Sequence, residues 1–297
     1  MRHYITLLAC LLALTVAQAQ DVIIRRNTTT NTSTTTVTKP KPKPKPRKTQ
    51  SSSASSSQTI TANGISFKMI RLEGGTFTMG ATSEQGSDAD SDEKSTHRVT
   101  LSGYYIGETE VTQALWQAVM GTSVSDQRDK ENKEWSLRGV GSNYPMYYVS
   151  WDECQQFIQK LNALTGRRFR LPTEAEWEFA ARGGNRSQGY KYSGSNNLNA
   201  VAWFFDNSGA ETHPVKSKSP NELDIYDMSG NVYEWCQDWY VPYNASSQTN
   251  PTGASSGSGR VFRGGSWGYT ATYCRVALRS NGSPSFRDDS LGFRLAL

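Results

Sequence analysis

Cysteine and histidine are scarce, with four and three in 297 residues. Cys10 and His3 fall in an N-terminal stretch that reads as a removable leader, so the expected mature chain keeps Cys154, Cys236, Cys274, His97 and His213. Two histidines exclude a three-histidine metal site within one chain. A two-histidine, one-carboxylate iron site would need both. Yet His97 follows an acidic run (Asp88, Asp90, Asp92, Glu93) and His213 precedes Pro214, the pattern of solvated loops. Beyond the leader no apolar run reaches the roughly 18 residues a membrane helix needs, so the mature chain is not expected to span a membrane. Phosphate-binding loops, dinucleotide fingerprints, nucleophile elbows and repeats of about 20–50 residues are also missing.

Net positive charge is missing from most of the chain. The net charge is +5, but residues 20–60 carry Arg25, Arg26, Lys39, Lys41, Lys43, Lys45, Arg47 and Lys48 against Asp21 alone, which leaves the remainder mildly acidic. A nucleic-acid-binding domain should carry a basic footprint, so nucleic acid is not an expected partner.

Residues 1–19 have the pattern of an export signal. Arg2 and His3 precede the apolar stretch from Tyr4 to Val16, and Ala17-Gln18-Ala19 fits the small-x-small cleavage rule. Leu8-Ala9-Cys10 offers lipidation as a second reading. The product is expected to be exported: periplasmic, at the cell surface or secreted. Residues 20–60 read as a linker of Thr/Asn, Lys-Pro and Ser tracts. Proline fixes φ and the lysines repel, which makes an extended spacer. The spacer is either simply solvated or in contact with an anionic surface.

The domain is expected over 61–297. Phe67 to Gly80 alternates around Gly74-Gly75 and predicts a hairpin, and Arg98 to Ile106 a strand. Helices are predicted over Thr109–Met120 with Thr109 or Thr112 as cap, over Trp151–Leu164 after Ser150, and over Thr173–Arg182 before Gly183-Gly184. Short strands are predicted at Val261–Arg263 and Gly292–Leu297. The aromatics within 188–207 and 233–243 supply either a binding surface or core.

Seven segments occur in one order: GGTFTMG (74–80), YYIGETEVTQALWQAVMG (104–121), YPMYYVSWDECQQF (144–157), RLPTEAEWEFAARGG (170–184), IYDMSGNVYEWCQDWY (225–240), RVFRGGSW (260–267) and the terminal LGFRLAL. Together they resemble the formylglycine-generating, sulfatase-modifying enzyme family over residues 66–297. The resemblance implies an irregular α+β fold akin to C-type lectins, low in regular structure and often calcium-bound.

It also implies an oxidase chemistry to test residue by residue. In the family a copper(I) ion sits between two cysteines after a Gly-Gly-Ser-aromatic stretch, here Gly264-Gly265-Ser266-Trp267. Counting forward, the first ligand position is Tyr269 and the second Cys274. A phenol is a hard donor that does not replace a thiolate for Cu(I). Counted back from Ala277-Leu278-Arg279 and the final LGFR, Cys274 lies three residues from the second ligand position. Either way the pair is broken. Cys274 and Ser266, which matches a family active-site serine, remain the catalytic candidates, with a turn as the alternative role for Ser266. Three cysteines in an oxidising compartment leave one over. With Cys154 on an apolar helix face, a Cys236–Cys274 bridge is expected.

The same resemblance implies calcium at residues 227–234, held by the Asp227 and Glu234 side chains and the Gly230 and Val232 carbonyls, an all-oxygen set that suits Ca²⁺. Asp206 and Asn207 are weaker candidates for a second ion. Two functions follow. One is a non-catalytic module binding an envelope protein or glycan. The other is a metal-dependent, formylglycine-generating oxidase acting on a protein cysteine.

Overall fold

A computed structural model describes residues 57–297. The expected leader and residues 20–56 of the expected linker lie outside the described residues. The domain begins earlier than expected, because Ser57–Ala62 (β1) is a strand whose register runs from Ser57↔Ile70 to Ala62↔Ile65. It buries Ile60 and Ala62 on one face, an alternation that a Ser-rich flank hides.

Strands β2 (Ile65–Leu72), β3 (Gly75–Met79), β4 (His97–Leu101), β5 (Tyr104–Gly107), β6 (Tyr233–Trp239), β7 (Gln248–Thr249), β8 (Arg260–Arg263), β9 (Ser280–Gly282) and β10 (Leu291–Gly292) form three small sheets with β1. Their orders are β1-β2-β5, β3-β4-β7 and β10-β6-β8-β9. The predicted hairpin across Gly74-Gly75 does not form: β2 pairs with β1 and β5, whereas β3 pairs with β4. Gly74 lies so close to β4 that a Cβ there would sit 2.3 Å from the Leu101 carbonyl oxygen. The Gly-Gly step is a crossing between sheets. Gly292–Leu297 is likewise no continuous strand; only Leu291–Gly292 pairs with β6.

The helices follow their caps. α1 (Gln113–Met120) starts at Thr112, whose hydroxyl accepts the Leu115 amide, and ends at Gly121 in the left-handed region. α2 (Val124–Asp129), not anticipated, starts with a Ser123/Asp126 capping box. α3 (Trp151–Thr165) has a Ser150/Glu153 box and turns Phe157, Ile158 and Leu161 inward. α4 (Glu174–Ala181) has a Thr173/Glu176 box. A single turn, α5 (Leu198–Val201), completes the set. The result is an α+β domain with modest regular structure. Among the described residues no helix is long and apolar enough to cross a membrane.

Unlike an ordinary surface helix, α4 is buried along its whole length, including Glu174, Glu176 and Glu178. Buried carboxylates need partners. Arg263 bonds Glu174 and Glu178 at 2.6 Å each, Arg279 bonds Glu174 at 2.6 and 2.8 Å, and Arg182 bonds Glu178 at 2.8 Å. This network pins β8 and the chain after Cys274 against α4. The C-terminus adds a second tie. Leu297 exchanges two backbone bonds with Tyr105, Ala296 exchanges two with Arg170, and Leu295 accepts the Gly107 amide.

Candidate functional site

β8 delivers the chain into Gly264 and Gly265, at φ 101° and 74°. A Cβ on Gly265 would lie 2.8 Å from the Cys274 sulfur and 2.7 Å from the Tyr273 carbonyl oxygen, so the approach requires glycine. Ser266 follows, fully buried. Its hydroxyl accepts the Gly268 amide at 3.4 Å and its carbonyl accepts that of Tyr269 at 3.2 Å, a turn that aims the next residues outward.

The structure brings Ser266 and Cys274 together but closes them from solvent. Cys274 is fully buried beside Tyr192, Leu198, Val201, Ala202 and Phe204, and burial pushes its thiol up to about 12. A thiol so enclosed stays protonated and is not placed to act as a nucleophile. Tyr269, at the other expected ligand position, is 40% exposed. With a phenol in place of one thiolate, the donor set does not fit copper(I). The expected Cys236–Cys274 bridge is also corrected. All three described cysteines are free and buried, and each belongs to a different apolar cluster: Cys154 with Trp116 and Phe157, Cys236 with Trp177 and Val261, Cys274 with Phe204.

Above the sealed thiol lies an exposed aromatic face. Tyr269 packs edge-on against Tyr273 at 5.2 Å and against buried Tyr233 at 5.1 Å. Its carbonyl accepts the amide of Phe205, which is 63% exposed. Burial, then the charge of nearby Asp288, raises the Tyr269 phenol and keeps it neutral. The Asp288 carbonyl in turn accepts the Tyr148 amide at 3.0 Å. Tyr148 stands at φ 58°, a strained setting for a bulky side chain, and stacks on exposed Trp135 at 6.1 Å. Arg138 lies over Trp267 and bonds Asp289 at 3.1 Å. Of the two stretches singled out in the sequence, 188–207 contributes Phe205 to this face. In 233–243, Tyr233 and Trp235 are core.

Calcium needs hard oxygens with spare lone pairs. In the 227–234 loop, Glu234 has little to spare. Arg294 bonds both its oxygens at 2.6 Å and the Trp177 indole donates to Oε2 at 2.7 Å. Asp227 accepts the Lys216 amide at 2.8 Å, and burial raises its carboxyl to about 6. A third carboxyl, absent from the expected set, reaches Asp227 from the segment before α1. Glu110 is 2% exposed, and its Oε2 has no hydrogen-bond donor. Gly230 leaves no room for a side chain, since a Cβ would sit 2.3 Å from the Trp203 carbonyl oxygen. Asp227 and Glu110 fit a hard cation, whereas Glu234 is committed to Arg294. Spacing within the loop gave no hint of Glu110, which approaches through its bond to Asn231, 121 residues away. Asp90, Asp92 and Glu93 also cluster, but Glu93 is clasped by Arg275 at 2.6 and 2.7 Å and Asp92 accepts the Tyr240 hydroxyl.

Residues 56–297 match the family model of the sulfatase-modifying factor enzyme 1-like domain. A formylglycine-generating enzyme of Streptomyces coelicolor is 32% identical over 283 residues, covering 76% of this chain and 88% of that protein. The chaperone protein LppX of Paenibacillus barcinonensis is 34% identical over 241 residues, covering 68% and 79%. Among solved structures, Treponema denticola variable protein 1 superposes with a TM-score of 0.69 at 37% identity, covering 81% of this chain and 98% of that one. On this match, which takes in the whole described domain, the chain belongs to the sulfatase-modifying factor family that includes the formylglycine-generating enzymes.

Proposed function

We propose that this chain is an exported, non-catalytic member of its family that binds an envelope protein or glycan through the aromatic face around Tyr269. The observation that carries the reading is the inversion at the ligand pair: the phenol of Tyr269 is 40% exposed and Cys274 behind it is fully buried. Exposed, neutral rings that touch one another form the kind of surface on which binding energy concentrates. The range of names among the relatives supports the reading, since a chaperone and a variable protein share the domain with the oxidases. A fold does not fix an activity. The leader and the Lys-Pro spacer would place the domain outside the cytoplasm, tethered or free.

The test is capture from a native envelope fraction with the full chain, beside a variant carrying Phe205→Ala, Tyr269→Ala and Tyr273→Ala. These side chains are exposed, so the variant should melt like the wild type while losing the captured species. Capture that survives all three changes would overturn the assignment of the face. Stoichiometric copper together with turnover of a sulfatase-type cysteine peptide would replace the reading with the oxidase.

A further inference from the structure

We propose that the cavity beneath residues 241–254 is a further binding site, one that takes the ammonium head of a small organic amine. It shares no residue with the Tyr269 face. After β6 the chain leaves through Val241, Pro242 and Tyr243 and returns as β7, parallel to β4. Asn250 fixes the return, since its side chain accepts the Ser102 amide at 2.7 Å and donates to the Ser102 hydroxyl at 3.0 Å. Between this segment, β4 and the start of α4 lies a cavity of about 380 Å³, within the size range of small-ligand sites. Met79, Ala175, Val241, Pro242 and Tyr243 give it apolar walls, and Asp238 supplies a carboxyl.

Asp238 is 6% exposed and spends one oxygen, Oδ2, on the Glu174 amide at 2.9 Å. Among the described residues no donor bonds Oδ1. The nearby cations are committed elsewhere. Arg279 clasps Glu174 and donates to the Val241 carbonyl at 3.1 Å. Arg170 clasps Glu176. Arg260 lies between the indoles of Trp151 and Trp239, 3.8 and 3.5 Å from the ring centroids. His97, at the cavity wall, donates through Nδ1 to the Ser95 carbonyl at 3.2 Å. Burial, then the charge of Glu174, raises the Asp238 carboxyl to about 7, as expected of a carboxyl with no cation bonded to it. A buried charge needs a partner, and a ligand ammonium supplies it while the apolar walls take the body of the amine. Gly253, at φ 76°, keeps the approach open, because a Cβ there would lie 2.8 Å from Oδ1.

The test titrates the full chain with butylamine and phenethylamine, and with phenethyl alcohol as the neutral match, read by ligand-observed NMR. At about pH 8 aliphatic amines are cationic and Asp238 is ionised, so both amines should bind and the alcohol should not. Asp238→Asn keeps the shape and an acceptor for the Glu174 amide. It should lose at least about tenfold in amine affinity, or roughly 1.4 kcal/mol. Gly253→Ala covers Oδ1 with a methyl group and should weaken binding too; it carries the test if the asparagine variant does not fold. The variant with Phe205, Tyr269 and Tyr273 changed to alanine should bind the amines as the wild type does, which separates this site from the aromatic face. Equal binding of the alcohol would overturn recognition by charge. Unchanged affinity in the folded variants would overturn the role of Asp238, and a wild type that binds neither amine would overturn the site.

Discussion

Asp238 accepts the amide of Glu174 at 2.9 Å and is 6% exposed. Burial, then the charge of Glu174, pushes its carboxyl up to about 7. An unfolded aspartate titrates near 3.9. Between roughly pH 4 and 7 the folded chain therefore holds a proton that the unfolded chain has released, and this residue's contribution to stability falls as pH rises through that window. Glu174 behaves oppositely. Burial alone would raise it, but Arg279 and Arg263 hold it down to about 2, so its contribution is present above about pH 4 and is lost only below. Asp227, raised to about 6, declines in the same window, so urea unfolding at pH 4, 5.5 and 7 isolates Asp238 only by comparing the wild type with its asparagine variant. Asp238→Asn should flatten the decline, and an unchanged slope would refute the assignment. The same scale shows what one residue can reveal from sequence. Tyr269 could be singled out because a count forward from Gly264-Gly265-Ser266-Trp267 lands on it, and the structure adds that its ring is exposed. Glu110 was not, because no local pattern links it to a loop more than a hundred residues away.

Helices and sheets differed in how far their sequences announced them, and range explains it. The Thr112, Ser150 and Thr173 caps each act within three residues, so the starts of α1, α3 and α4 were readable. Strand partners lie far off. β6 was missed because Glu234, Gln237 and Asp238 interrupt its apolar residues although the strand is buried between β10 and β8, and the Gly74-Gly75 crossing looked like a turn. A prediction at this scale concerns Thr173, whose hydroxyl accepts the Glu176 amide at 3.2 Å while Glu176 accepts its amide at 2.9 Å. Thr173→Ala should cost about 1 kcal/mol. In a domain of this size that is a drop of roughly 2–4 °C in Tm, read by calorimetry. The α4 carboxylates should keep their arginine partners, so the change should be no larger than that of a lost cap.

At the scale of the whole domain, residues 295–297 are joined to β5 and to the chain just before α4. Residues 295–297 make five backbone hydrogen bonds to Tyr105, Gly107 and Arg170, and they bury Leu295 and Ala296. At roughly 1 kcal/mol per bond and about 2 kcal/mol for a leucine, this tie is comparable with the 5–15 kcal/mol that holds a typical domain. Deleting residues 295–297 should therefore abolish the cooperative melt of the domain. A truncated chain that keeps the wild-type transition would show the tie to be dispensable. The residues that fasten β5 to the entry of α4 follow every other described element in the chain. A nascent domain therefore lacks this clasp until every other described strand and helix has been made, so its native state locks late in synthesis.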